Sequence, residues 1–210
     1  NSYLSHELIS IEDKGMLREV AIGNLMVSPF EYNPATNRLV VHTELEFNIM
    51  FDNADIEGTK NIKENYFSPF FETIYETTLT NYSSVFSTRE DNFINDQGTY
   101  LIIADQTFNG YLDEFIEWKT RKGFNVIAAY TNEIGSSSSS IRAFIQEQYN
   151  NPSDGTSPIS FVLLVGDTQQ VPASYTSGGH VSDLDYSNLT GSDLPEVLCG
   201  RFSAQTPTHL

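Results

Sequence analysis

The 210-residue sequence predicts an α/β fold, in which helices flank a parallel-rich sheet and a β-rich segment comes first. Across residues 99–167, three continuous apolar runs alternate with two stretches of helical spacing. Strands that alternate with helices are typical of a parallel sheet with right-handed crossovers. Before this unit, apolar and polar side chains alternate with a period of two, which is typical of antiparallel strands with one solvent-exposed face.

The β-rich segment is predicted to be one long hairpin. Residues 39–51 alternate strictly between apolar and polar, and residues 18–32 are also strand-like. The link between them, residues 33–37, is dense in turn-forming residues. The polar stretch that follows, residues 52–63, predicts a loop.

A helix is predicted to begin at Ser68, with Ser68 as the N-cap and Pro69 at the first helical position. Phe71, Ile74 and Tyr75 then share one face. Residues 80–98 are polar and lack a period, which predicts an exposed linker.

Arg89 and Glu90 lie in that linker, between two differently patterned regions. Proteolytic processing takes place in extended, exposed segments, because these can enter a protease cleft. We therefore interpret Arg89–Glu90 as a processing site. The alternative is an ordinary surface arginine in a loop.

The carboxyl ends of the predicted parallel strands form one edge of the sheet. The predicted strands are residues 100–104, 124–129, 159–165 and 197–202, and the two helices before the third strand contain residues 112–119 and 141–149. Gly123 can end the first helix in the left-handed conformation. Ligands gather at the carboxyl ends of parallel strands, and Asp167 follows the third strand there.

Charge and hydropathy argue against two classes of partner. The 28 acidic residues outnumber the 11 basic ones, for a net charge of −17, and such a surface repels a phosphate backbone. We therefore expect no nucleic-acid partner. No apolar run approaches the roughly 18 residues of a membrane span, so no membrane span is expected.

Cys199 is the only thiol and is therefore the only candidate cysteine nucleophile in the chain. Its apolar neighbours favour a structural position in a buried strand. A dyad with His180, which follows two glycines, would also need a third group to orient it. Nothing in the sequence favours this dyad over chance.

Carboxylates cluster on the loops near the predicted strand ends. They are Asp167, Asp183, Asp185, Asp193 and Glu196. Hard oxygen ligands on loops are what calcium requires, so a calcium site is one interpretation. The alternative is helix capping and solvated loop charge.

Four motifs, in order, resemble the gingipain family of cysteine peptidases. They are residues 100–104, 115–124, 161–167 and 200–203, and their order and approximate spacing hold over about 110 residues. Residues 30–34 and 67–71 resemble the end of the pro-domain of that family.

The resemblance implies a domain division and a fold. Residues 1–89 would be the end of a β-rich pro-domain with a helix and linker, and residues 90–210 the first part of a caspase-like catalytic domain. The family is secreted or held at the bacterial cell surface, and it hydrolyses peptide bonds by a Cys–His mechanism. Both catalytic residues would lie beyond Ser203, so we expect none in this chain, which would be inactive alone.

The resemblance also implies partners and a metal. The partners would be protein or peptide substrates and the remainder of the catalytic domain. Family members bind calcium near residues 200–203, which suggests Asp167, Glu196 and the Leu194 carbonyl as ligands, with Asp193 compensating where Thr190 replaces an acid.

Two other functions stay open on the sequence. One is a non-catalytic inhibitory or binding module, because the chain lacks an evident nucleophile–base pair. The other is a processing peptidase of a secretion system. A preference for cleavage after arginine or lysine is equally open.

Overall fold

The computed structural model describes residues 7–86, 97–153, 155–175, 178–191 and 194–210. It has two parts: an amino-terminal segment, residues 7–86, and an α/β part, residues 97–210. Three residues of the predicted sites, Arg89, Glu90 and Asp193, lie outside the described residues.

The amino-terminal segment begins with two short hairpins. β1 (Ile9–Leu17) pairs with β2 (Val20–Val27), and β3 (Phe30–Asn33) pairs with β4 (Arg38–Val41), both antiparallel. The prediction of one long hairpin is therefore wrong. The second hairpin has four residues in each strand, and in its turn the side chain of Asn33 accepts hydrogen bonds from the amides of Ala35 and Thr36.

Three helices follow: α1 (Ile56–Asn65), α2 (Pro69–Thr78) and α3 (Tyr82–Val85). α1 replaces the predicted loop. No residue of α1 is buried, and its sequence has no stripe of apolar residues from which a helix could be predicted. α2 begins where predicted, but the hydroxyl of Ser68 accepts a hydrogen bond from Ser160 in the sheet instead of capping the helix.

The α/β part confirms the predicted fold class. Along the chain it contains β5 (Thr99–Ala104), α4 (Asp113–Arg121), β6 (Asn125–Tyr130), α5 (Thr131–Ile134), α6 (Ser138–Asn150), β7 (Ile159–Val165), β8 (Ser174–Tyr175), β9 (Val181–Ser182) and β10 (Leu198–Phe202). Four of these strands form a parallel sheet in the order β10-β7-β5-β6. No helix in the described part of the chain is long and apolar enough to cross a bilayer.

The two central strands, β5 and β7, are buried on both faces because their side chains alternate between two cores. Leu101 and Ile103 pack with α6 on one face, whereas Ile102 packs with Phe108 and Leu112 on the other. Fully burying side chains of this size contributes about 1.5–3 kcal/mol each. This two-sided burial accounts for the continuous apolar runs in the sequence.

A third core joins the amino-terminal segment to the sheet. Leu17, Val20, Phe71, Tyr75 and Tyr82 are buried together. Two residues of the α/β part, Leu194 and Leu198, pack against this cluster. The two parts of the chain therefore share buried surface.

Candidate functional site

The carboxyl edge of the sheet is built around the turn after β7. The amide of Gly166 donates to the Phe202 carbonyl over 3.0 Å, and that of Asp167 donates to the Ala204 carbonyl over 2.9 Å. Gly166 has a φ of 136°, and a Cβ there would lie 2.7 Å from the Cβ of Gln170. Only glycine fits this close turn.

Asp167 organises the loop that leaves β10. Its Oδ1 accepts hydrogen bonds from the Thr168 amide and the Ser203 hydroxyl, and its Oδ2 accepts one from the Gln205 amide group. These bonds favour the ionised carboxylate and lower the pKa of Asp167. In the described structure, Asp167 thus accepts hydrogen bonds that hold the loop at the edge of the sheet.

Arg201 on β10 is the main connector of this edge. Its Nε donates to Asp183 Oδ2 over 2.8 Å, and its Nη2 donates to Asp183 Oδ1 over 2.6 Å. Its Nη1 donates to the carbonyls of Gly166 and Val171, both over 2.8 Å. One side chain on β10 therefore joins the loop after β7 to the loop after β9.

Sequence reasoning noticed both members of this pair but not their contact. Arg201 lies in the motif of residues 200–203, and Asp183 is one of the loop carboxylates, 18 residues before it. The only signal was a long cationic side chain inside an apolar strand, which needs a partner when it is partly buried.

Cys199 occupies a structural position on β10, opposite Val162 of β7. Burial raises the pKa of its thiol to about 12, with the negative charge of Asp183 acting in the same direction. The thiol is therefore neutral near pH 7, and a neutral thiol is a poor nucleophile. This environment agrees with the structural interpretation of Cys199.

Glu196 is fully buried, and its carboxylate accepts hydrogen bonds from a loop. Its Oε2 accepts hydrogen bonds from the amides of Leu189 and Thr190, and its Oε1 accepts one from the Thr190 hydroxyl. Protein donors therefore already surround the carboxylate. A calcium ion would have to replace or share these bonds.

The structure separates two of the predicted calcium ligands, Asp167 and Glu196. The Glu196 carbonyl shares the Nη1 donor of Arg18 with the carbonyl of Ile159, at the amino end of β7, whereas Asp167 follows the carboxyl end of that strand. Seven strand residues span roughly 20 Å, and calcium binds its oxygens within about 2.6 Å. Asp167 and Glu196 therefore lie at opposite ends of β7. A calcium site formed by Asp167, Asp193, Leu194 and Glu196 stays a prediction.

No other candidate metal cluster is present in the part of the chain that the structure describes. There, no group of three or more histidine, cysteine, aspartate or glutamate side chains is placed to hold an ion.

The amino-terminal segment contacts the opposite, amino edge of the sheet. Phe70 of α2 packs against Phe124 and Phe161, with ring centroids 5.9 and 4.6 Å apart. Tyr66 packs against Tyr149 of α6 at 5.0 Å. Aromatic pairs at these separations contribute about 0.5–1.5 kcal/mol beyond burial.

Two family models match this chain. The model of the propeptide of family C25 matches residues 1–88, and that of peptidase family C25 matches residues 94–210. This chain belongs to peptidase family C25. The predicted resemblance to gingipain-like cysteine peptidases is confirmed.

The curated relatives are gingipains of Porphyromonas gingivalis. Lys-gingipain is 32% identical over 211 residues, which cover 99% of this chain and 12% of the relative. Gingipain R2 is 26% identical over 213 residues, which cover all of this chain and 28% of the relative. The chain thus spans about an eighth to a quarter of the length of these relatives.

Solved structures give a partial match. The crystal structure of the Arg-specific cysteine proteinase gingipain R is 29% identical, with a TM-score of 0.49 over 53% of this chain and 26% of that one. A complex of the pro- and mature domains of Porphyromonas gingivalis RgpB is 28% identical, with a TM-score of 0.49 over 54% and 26%.

Proposed function

We propose that this chain is the pro-segment and first catalytic portion of a cysteine endopeptidase precursor, secreted or held at the bacterial cell surface. The supporting observation is that the propeptide and peptidase matches follow one another on a single chain. The core shared by the two parts agrees with a precursor in which the pro-segment contacts its own catalytic domain.

The proposed reaction is hydrolysis of a peptide bond in a protein or peptide substrate. A cysteine thiolate attacks the carbonyl carbon, backbone amides stabilise the oxyanion, and a histidinium donates a proton to the amine as the C–N bond breaks. Water then hydrolyses the resulting thioester, which releases the acid product and regenerates the cysteine. Cys199 lacks the lowered pKa that this step needs. We therefore place the catalytic pair outside this chain, in the remainder of the catalytic domain.

The carboxyl edge of the sheet would support that pair. Ligands of parallel sheets bind outside the carboxyl ends of the strands. Gly166, Asp167 and Arg201 fix the loops at this edge by hydrogen bonds that cross from β7 to β10. Their role is to position loops, since none of them is a nucleophile.

Activation would proceed by cleavage of the Arg89–Glu90 bond. This bond lies between the propeptide match, which ends at residue 88, and the peptidase match, which begins at residue 94. A basic residue at such a junction is a recognisable cleavage signal, and a precursor that cuts itself there would favour arginine in substrates.

The test uses the full-length precursor and its Arg89→Ala variant. We expect the wild type to convert to a mature form that begins at Glu90 and cleaves fluorogenic arginine or lysine peptides. Arg89→Ala should remain uncleaved. The matched control is Arg121→Ala, because Arg121 is an exposed arginine on α4.

Normal maturation of Arg89→Ala would reject the processing site. A wild-type precursor without peptidase activity, whether cleaved or not, would instead favour the non-catalytic inhibitory module. Amino-terminal sequencing and a thiol-reactive inhibitor complete the measurement, since the inhibitor should abolish activity.

A further inference from the structure

We propose that the α/β part contains a guanidinium site at the amino ends of β7 and β10, and that Arg18 in this site keeps the cleaved pro-segment bound. The site consists of the carbonyls of Pro158, Ile159 and Glu196 and the ring of Tyr149. The inference rests on the proposed function, because a pro-segment must be cut before it can be retained.

The hydrogen bonds of Arg18 cross between the two parts of the chain. Nη1 donates to the carbonyls of Ile159 and Glu196, both over 2.8 Å, and Nη2 donates to that of Pro158 over 3.2 Å. Nε donates to the Tyr66 carbonyl within the amino-terminal segment over 2.8 Å. The planar fork of an arginine can satisfy this spread of acceptors, whereas the point charge of a lysine cannot.

Aromatic rings enclose the same guanidinium. Its central carbon lies 4.9 Å from the ring centroid of Phe71 and 5.4 Å from that of Tyr149. Arg18 is only 1% exposed. A desolvated arginine between aromatic faces is the kind of residue that contributes most to binding at an interface.

The backbone at this position is held in an unfavourable conformation. Arg18 and Glu19 form the two-residue turn between β1 and β2, with φ values of 40° and 66°. Turns of this kind favour Asn-Gly, because both central residues need positive φ. Strain of this sort persists where surrounding contacts fix it, and it often marks a functional position.

The guanidinium site lies at the opposite end of the sheet from the carboxyl edge. Arg18 contacts the first residue of β7, whereas Gly166 and Asp167 follow its last residue. A pro-segment held only at the amino edge leaves the carboxyl edge uncovered by these contacts. Retention of the pro-segment and inhibition by it are therefore separable properties.

The experiment uses the full-length precursor, in which the recognition sequence of a site-specific protease replaces residues 88–91. That protease is then added to cut the chain. After cutting, native gel filtration measures how fast the pro-segment leaves the remaining protein. We expect Arg18→Ala to accelerate release by about 100-fold or more, the loss typical of a central interface arginine. Arg38→Ala is the matched control, because Arg38 is an exposed arginine of the same segment, and it should release like the wild type.

Chemical rescue tests the site itself. Ethylguanidinium can refill the space that Arg18→Ala leaves and should slow the release of the pro-segment, whereas ethylammonium should not. Phe70→Ala removes a different contact between the two parts. It should accelerate release without responding to ethylguanidinium.

Release of Arg18→Ala at the wild-type rate would overturn the proposal, and so would equal rescue by the two cations. If Arg18→Ala does not fold, Arg18→Lys replaces it. This variant keeps the charge and most of the stem, so we expect it to fold and yet to release at least about 10-fold faster; wild-type release would again overturn the proposal. The readout needs no peptidase activity, so failure of the proposed function gives a different result.

Discussion

Arg201 and Asp183 form a two-bond ion pair in which Nε and Nη2 of the arginine each donate to one carboxylate oxygen. The side chain of Arg201 is 11% exposed and that of Asp183 is 29% exposed. The pair joins an edge strand of the sheet to the loop after β9. Because the remaining guanidinium nitrogen binds two carbonyls, the pair is one end of a larger network.

Breaking this pair should destabilise the α/β part. Asp183→Asn leaves a mostly buried arginine without its counter-charge, and we expect a loss of about 2–3 kcal/mol in the free energy of unfolding. Chemical denaturation measures it. Glu57→Gln is the control, since Glu57 pairs with Lys60 on the surface and should cost less than about 0.5 kcal/mol. Equal effects of the two substitutions would contradict the assigned role.

Cys199 should react slowly and should be dispensable for catalysis. With a pKa near 12, little thiolate exists at pH 7.5, and iodoacetamide should modify the folded protein at least about 100-fold more slowly than the unfolded chain. Mass spectrometry of the Cys199 peptide gives both rates. Cys199→Ser should keep the peptidase activity of the mature enzyme, and loss of activity without loss of stability would contradict this.

The same thiol predicts a pH dependence of stability. The folded-state pKa of Cys199 is raised above the unfolded value of about 8.5. Its contribution is therefore complete below about pH 8.5 and is lost as the pH rises towards 12. Cys199→Ala should lose less stability over that window than the wild type does, as measured by denaturation at several pH values.

Asp167 predicts the opposite dependence. Hydrogen bonds from Gln205, Thr168 and Ser203 lower its pKa, so its contribution is complete above the unfolded value of about 3.9 and is lost as the pH falls below it. An NMR titration of the Asp167 carboxyl should show the lowered pKa. Gln205→Ala should move that pKa upwards, and an unchanged pKa would contradict the role of Gln205.

Glu196 should matter for stability independently of calcium. Glu196→Ala leaves the buried amide of Leu189 and the partly buried amide of Thr190 without their acceptor, and we expect a loss of about 2–4 kcal/mol. Glu44→Ala, at an exposed position, is the control. Because Asp167 and Glu196 lie at opposite ends of β7, about 1 mM calcium should leave the melting temperature unchanged; a rise that Glu196→Ala abolishes would assign a metal role to Glu196.

The sequence determined the elements that rest on local pattern. The central strands β5 and β7 were predictable because burial on both faces requires continuous apolar runs, and α2 was predictable from Ser68 and Pro69. α1 was missed because it buries nothing and has no apolar stripe. The β1–β2 hairpin was missed because period-two alternation identifies a strand but does not choose its partner.

Contacts between distant residues were decided only by the tertiary structure. Asp167 and Glu196 both lie on loops near the ends of predicted strands, yet the length of β7 separates them. The sequence places Arg18 in a strand, yet it lies in a two-residue turn, and its side chain donates a hydrogen bond to the carbonyl of Pro158, which is 140 residues away in sequence. Local sequence encodes propensity and periodicity, whereas shared acceptors and charge pairs exist only after packing brings remote backbone together.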